Sequence, residues 1–260
     1  MPRVALETVT DYLDRYLRIR EVPDESGAVN GLQVANRGWV GGIVAAVDAS
    51  QATIDGVVAA AARFEAPPLI LVHHGLFWDG NQPVTGRRYR RLVALMSHDI
   101  PLYSAHIPLD VHAEVGNNAV LARLLGVEQL DPFDSYKGIP MGVQGSLAEP
   151  TAREEMVVRL NGLLDTNARL IPGGPERVRR VGIITGGAGA RIAAARDAGL
   201  DLFITGEGAH YTYFDAVEFG VNVIFAGHYA TEQVGVKALA AQLSERFELP
   251  WEYHHHPTGL

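Results

Sequence analysis

Val221-Asn222-Val223-Ile224-Phe225-Ala226-Gly227-His228-Tyr229-Ala230-Thr231-Glu232 runs from an apolar, strand-forming segment through a small-residue turn to an imidazole and a carboxylate four positions apart. On a helix that spacing aims both side chains at one face. An earlier stretch, Ala105-His106-Ile107-Pro108-Leu109-Asp110, repeats the arrangement and also follows an apolar run. A surface histidine beside a helix-capping acid would give the same spacing. What favours metal-site chemistry is a third cluster, Val72-His73-His74-Gly75, at the end of the buried-type strand Leu69-Ile70-Leu71-Val72.

Outward from these stretches the chain alternates strands and helices. Residues 42–47 read as a strand ending at Asp48, and a helix marked by Ile54, Val57, Val58 and Ala61 is stopped by Pro67-Pro68. A helix over 88–98, a strand over 101–105 and a helix over 117–125 follow. In the second half, strands at 181–185, 200–205 and 221–225 alternate with helices at 190–198, 211–219 and 232–247. Between the halves, residues 126–177 read as loops, marked by Asp131-Pro132, Lys137-Gly138 and Pro172-Gly173-Gly174-Pro175, around one helix opening at a capping box, Thr151-Ala152-Arg153-Glu154. Trp251 to His256 reads as a last native strand.

The expected fold class is α/β: two similar α/β halves with mixed sheets flanked by helices and a metal site in the cleft between them. The expected domains are 1–128, completed by 227–260, and 129–226. The common order of elements suggests a weak internal repeat. In its register Val72-His73-His74-Gly75 lies opposite Thr205-Gly206-Glu207-Gly208, and His106 with Asp110 lies opposite His228 with Glu232. All then fall at the C-terminal ends of strands, where open α/β sheets bind ligands.

Composition narrows the chemistry. With 47% hydrophobic and 20% charged residues the 260-residue chain has a globular balance. A net charge of −8 argues against a broad nucleic-acid or anionic-membrane surface. The absence of cysteine excludes disulfides, iron-sulfur clusters and thiolate zinc, so any metal must use imidazole nitrogen and carboxylate oxygen. Val9, Tyr12, Leu13, Tyr16 and Leu17 describe an amphipathic helix and not a signal peptide, and no apolar run approaches membrane-spanning length. A cytoplasmic protein without a membrane partner is expected.

His73, His74, Asp110, His228 and Glu232 supply five nitrogen and oxygen ligands, enough for two divalent ions, zinc, iron or manganese, with a bridging carboxylate. Adjacent His73 and His74 can serve one centre only if the strand ends there or each binds a different ion. A hydrogen-bonded structural pair is the alternative. His106 is read as an orienter or proton shuttle beside Asp110, with a buried structural histidine as the alternative, and Glu207 and His210 as residues facing the site to bind substrate, for which a simple capped turn is the favoured alternative. Gly186-Gly187-Ala188-Gly189 reads better as a tight strand-to-helix turn than as a phosphate cradle, because no Gly-Lys-Ser/Thr follows. The run Arg87, Arg88, Arg90 and Arg91 reads as a solvated helix face.

Val72-His73-His74-Gly75-Leu76-Phe77-Trp78, Ala105 to Asp110 with Gly116-Asn117-Asn118, Ile204-Thr205-Gly206-Glu207 and Gly227 to Glu232 together resemble the motifs of the Nif-three-like dinuclear metal-centre family, whose members are often called GTP cyclohydrolase type 2 homologues. The resemblance implies a two-domain α/β fold, a homohexameric ring with metals facing its cavity, and ligands at the positions of His73, His74, Asp110, His228 and Glu232. Members often read Gly-His-His where this chain has Gly227-His228-Tyr229; the substituted position is not the ligand one. Two functions fit. One is a metal-dependent hydrolase of a small compound, cyclohydrolase-like or directed at nucleotides or phosphoesters, with metal-bound hydroxide as nucleophile and His106 or Glu207 moving protons. The other is a non-catalytic metal-binding ring with a regulatory or scaffold role.

Overall fold

The computed structural model describes residues 3–259. In chain order the elements are β1 (Val4–Ala5), α1 (Leu6–Tyr16), β2 (Gly31–Val34), β3 (Trp39–Val40), β4 (Gly42–Asp48), α2 (Gln51–Ala60), β5 (Pro68–His74), α3 (Gly86–Ser97), β6 (Leu102–Ser104), α4 (Ile107–Asp110) and α5 (Asn117–Leu124). They continue as β7 (Val127–Tyr136), β8 (Ile139–Ala152), α6 (Arg153–Leu164), β9 (Arg169–Ile171), β10 (Arg177–Ile183), α7 (Ile192–Asp197), β11 (Leu202–Thr205), α8 (Thr212–Phe219), β12 (Asn222–Phe225), α9 (His228–Phe247) and β13 (Trp251–Tyr253). Among the described residues no helix is long and apolar enough to cross a membrane.

The chain forms two compact units, residues 3–109 with Val236–His256, and Asp110–Gly235 with 257–259. The divisions fall earlier than 128 and later than 227. Leu121, Ala122 and Leu125 of the α5 region belong to the core of Met156, Leu160, Val181 and Ile204, which ties α5 to the second unit. The Gly235 N–H donates to Asn117 Oδ1 at 2.7 Å, which ties the first part of α9 to the same unit.

The first unit is built on a sheet in the order β13-β4-β5-β6-β2, with β1 and β3 as a separate pair. β13, β4, β5 and β6 are parallel, and β2 runs antiparallel to β6. Residues 42–47 and 69–73 are buried throughout, as expected of strands covered on both faces. Ile54 and Val57 of α2 and Leu95 of α3 pack on Val44, Ile70 and Val72. Ser50 caps α2 by accepting the Thr53 N–H at 3.0 Å.

The second unit has the order β7-β8-β10-β11-β12-β9. Here β10, β11 and β12 are parallel, with β9 antiparallel to β12 and β8 antiparallel to β10. The blocks β4-β5-β6-β2 and β10-β11-β12-β9 share strand order, strand directions and the chain order of their strands. The repeat expected from sequence is therefore present as topology.

Two local readings are corrected. Residues 127–152, read as loop, form the β7–β8 hairpin, whose two-residue turn is Lys137-Gly138 with φ of 47° and 85°. Two positive φ values mark a turn whose twist matches that of the flanking strands. Pro132 sits within β7, where an edge strand tolerates the missing N–H. The capping box does not form: Ala152 is the N-cap of α6, and Thr151 Oγ1 donates to the Glu149 carbonyl at 3.1 Å.

No atom lies within 4 Å of where a Cβ on Gly138 would be, so a side chain there meets only its own backbone strain. Gly138→Val should cost about 1–2 kcal/mol, lowering Tm by roughly 2–4 °C per kcal/mol. Lys137→Gly should leave Tm unchanged or raise it, and calorimetry of the two variants checks the turn.

Candidate functional site

In the first unit β5 carries His73 and His74 to its C-terminal end, and the chain turns away at Gly75. Because the strand ends there, the adjacent rings do not diverge to opposite faces; their centroids are 4.7 Å apart. His106 follows β6, the neighbouring parallel strand, and its ring centroid lies 5.0 Å from His73 and 5.6 Å from His74. One ring nitrogen from each of the three lies within 4.8 Å of the others.

Each ring is held by its Nδ1. His73 Nδ1 donates to the Ala105 carbonyl at 2.9 Å, His74 Nδ1 to Asp48 Oδ1 at 2.8 Å, and His106 Nδ1 to Asp24 Oδ1 at 2.8 Å. A neutral imidazole whose Nδ1 carries the proton has its lone pair on Nε2, the arrangement that second partners impose on metal-binding histidines. His106, expected as an orienter, is in the structure the imidazole that is oriented. Asp24 also accepts the Ile107 N–H at 2.9 Å and the Asn30 amide at 2.8 Å, while Asn30 Oδ1 accepts the His106 N–H at 2.8 Å. Burial would raise the Asp24 carboxyl, but His106, Asn30 and the Glu25 N–H together hold it below the usual carboxylate range.

Sequence reading passed over Asp24 and Asp48. Asp48 had a detectable signal, since it ends β4 and pairs in register with His74 on β5. Asp24 had none, because it lies in a turn-rich break whose composition signals only a loop. Trp78, 41% exposed, stands edge-on to His106 with centroids 4.8 Å apart.

In the second unit α9 begins at His228, a turn earlier than expected, so His228 and Glu232 do share a helix. His228 Nε2 lies 3.2 Å from Glu232 Oε1, and its Nδ1 lies 2.8 Å from Glu207 Oε1. Glu207, a candidate catalytic residue, thus grips His228, as Asp24 grips His106. Glu232 is 3% exposed and Asp110 5%. Asp110 Oδ1 accepts from Asn117 Nδ2 at 2.8 Å and from the Thr185 hydroxyl at 3.4 Å. Beside Thr185, Gly186 has φ +70°, and a Cβ there would fall 2.2 Å from Glu232 Oε1. Its carbonyl accepts from the Gly206 and Glu207 N–H groups, so the glycine run is a tight turn bracing the carboxylates. His210 stacks edge-on with Phe214. Arg88 is buried, binding Asp79 and the Gly80 and Gln82 carbonyls, so this one arginine holds a loop and does not belong to a solvated face.

Imidazole nitrogen and buried carboxylate oxygen, without thiolate, fit borderline divalent ions such as zinc, iron or manganese. The fold and its donor groups define an α/β protein with candidate metal-binding side chains at the C-terminal ends of parallel strands. The chain belongs to the Duf34/NIF3 (NGG1p interacting factor 3) family, which it matches over residues 4–258. It is 44% identical over 255 residues to the GTP cyclohydrolase 1 type 2 homolog of Pyrococcus abyssi, covering 98% of this chain and 99% of the relative. It is 41% identical over 257 residues to the protein of the same name from Deinococcus radiodurans, covering 99% and 95%. The crystal structure of TTHA1606 from Thermus thermophilus superposes with a TM-score of 0.87 at 40% identity, covering 99% of this chain and all of that one.

Burial alone would lower the His228 pKa, but Glu232 and Glu207 outweigh it and raise the ring to about 9. A folded-state pKa above the unfolded value adds stability that is complete below about 6.5 and lost as pH rises through about 9. The metal-free protein should therefore lose Tm across that window. Glu207→Gln should flatten the loss and lower the His228 titration seen by NMR.

Proposed function

We propose that the protein holds divalent metal at a dinuclear centre, with His73, His74 and His106 in one unit and Asp110, His228 and Glu232 in the other as its candidate ligands, and that it is a metal-dependent hydrolase of a small compound. The observation that carries this reading is the set of three imidazoles at the ends of β5 and β6, each anchored through Nδ1. The groups are complementary in donors. The first has imidazoles whose acids, Asp24 and Asp48, are committed to Nδ1 atoms; the second has buried carboxylates with one imidazole. His106 after β6 and His228 after β12 occupy matching places in the repeated topology.

Divalent ions bound there would supply Lewis-acid polarisation and activation of water. The chain's own part is to hold these side chains and keep the His73, His74 and His106 rings in one tautomer each. Glu207, on His228, is the group placed to take or return a proton at Nδ1. Assembly into a homohexameric ring belongs to the same reading. The exposed Tyr213, Phe214 and Val217 of α8 offer an apolar surface for association. Light scattering that gave a monomer mass would remove the ring.

Elemental analysis after dialysis should find about two ions per chain. Glu232→Ala should lose most of the bound metal, and Asp24→Asn should weaken retention about 10–100-fold. Metal-loaded protein screened against phosphoesters, nucleotides and cyclic amidines, with chelated protein as control, tests the hydrolase. Full metal content with no turnover of any class would favour the regulatory or scaffold role.

A further inference from the structure

The second unit contains a half-open cavity of about 270 Å³, walled by the turn after α4 and by facing stretches of the β7–β8 hairpin. Ala119, Met141 and Val143 give it an apolar lining, its acidic groups are Asp110 and Asp131, and the His112 ring lines it too, its Nδ1 accepting the Glu114 and Val115 N–H groups at 3.2 and 3.3 Å. Asn118 lines it as well, but its amide is engaged at both ends, donating to the Met141 carbonyl and accepting the Thr185 N–H, each at 2.8 Å. Among the described residues no Lys or Arg lines the cavity.

Size and charge together restrict what fits. The volume is below the span of about 300–1,000 Å³ usual for drug-sized ligands, so the occupant is small. A phosphate would bring further negative charge against Asp131 with no Lys or Arg in the lining to offset it, while Asp110 is buried and already bonded by Asn117 and Thr185. A protonated amine meets the opposite field, and its apolar body meets Ala119, Met141 and Val143.

We propose that this cavity binds a small organic amine, its apolar body about one ring in size and its ammonium group directed to Asp131. That such a compound is the substrate rests on the hydrolase reading above; that the cavity takes it does not. Without bound metal the cavity disfavours a phosphorylated arm.

The test uses methyl-labelled protein and three probes that share a ring: phenethylamine, 2-phenylethanol and phenyl phosphate. Phenethylamine should shift the Ala119, Met141 and Val143 methyl signals saturably, 2-phenylethanol should bind about threefold more weakly, and phenyl phosphate should leave them unmoved at the same concentration. Asp131→Asn should bring the amine down to the affinity of the alcohol. Val143→Phe, checked for folding by its melting curve, should abolish binding of both; if it does not fold, Asp131→Asn decides alone. Absence of saturable shifts with the amine, equal binding of phenyl phosphate, or an Asp131→Asn variant that binds the amine unchanged would overturn the proposal. Titrations are run on metal-loaded and chelated samples whose metal content is measured separately. A chain that holds no metal but binds the amine would refute the metal reading and uphold this one.

Discussion

A buried imidazole must commit its two nitrogens, because an unpaired polar atom in a low-dielectric interior is costly and a ring with no fixed tautomer cannot be a defined ligand. His73, which is buried, and His74 and His106, which are half-buried, meet this constraint at Nδ1 by donating to the Ala105 carbonyl, Asp48 and Asp24. Much of the first unit's local structure serves those acceptors. The register of β4 against β5 sets Asp48 opposite His74, and the loop from Asp24 to Asn30 is bonded at both ends to residues 106 and 107.

The second unit meets a related constraint with carboxylates. Asp110 and Glu232 are nearly inaccessible to water, and buried acids persist only where donors or cations compensate them. Asn117 and Thr185 donate to Asp110, and His228 lies against Glu232. The close approach of Gly186 to Glu232 requires a residue without a side chain and with positive φ. Two sheets of one topology have thus been specialised differently, toward imidazoles in one and toward acids in the other.

On the proposed reading, metal and cavity would set different selectivities. A dinuclear centre can act on many polar bonds, so on the proposed reading discrimination falls to the surfaces beside it. The cavity next to Asp110 is apolar and acidic. The relatives' name mentions a nucleotide, but a fold hosts many chemistries and the local field is what a ligand meets.

Periodicity and turn chemistry by themselves determined most of the α/β elements, because long buried strands such as 69–73 and capped amphipathic helices are written in local pattern. Sequence also determined the donor types, since without cysteine only imidazole and carboxylate remain, and the four-residue spacing of His228 and Glu232, though the structure alone put both on one helix. The β7–β8 hairpin escaped because Lys137-Gly138 is a weak turn signal and Asp131-Pro132 looks like a break, whereas an edge strand accepts proline. Only tertiary structure decided the partners of the imidazoles. Asp24 reaches His106 across 82 positions and Glu207 reaches His228 across 21, and pairing at such separations is set by how the strands are laid side by side, which no local pattern encodes.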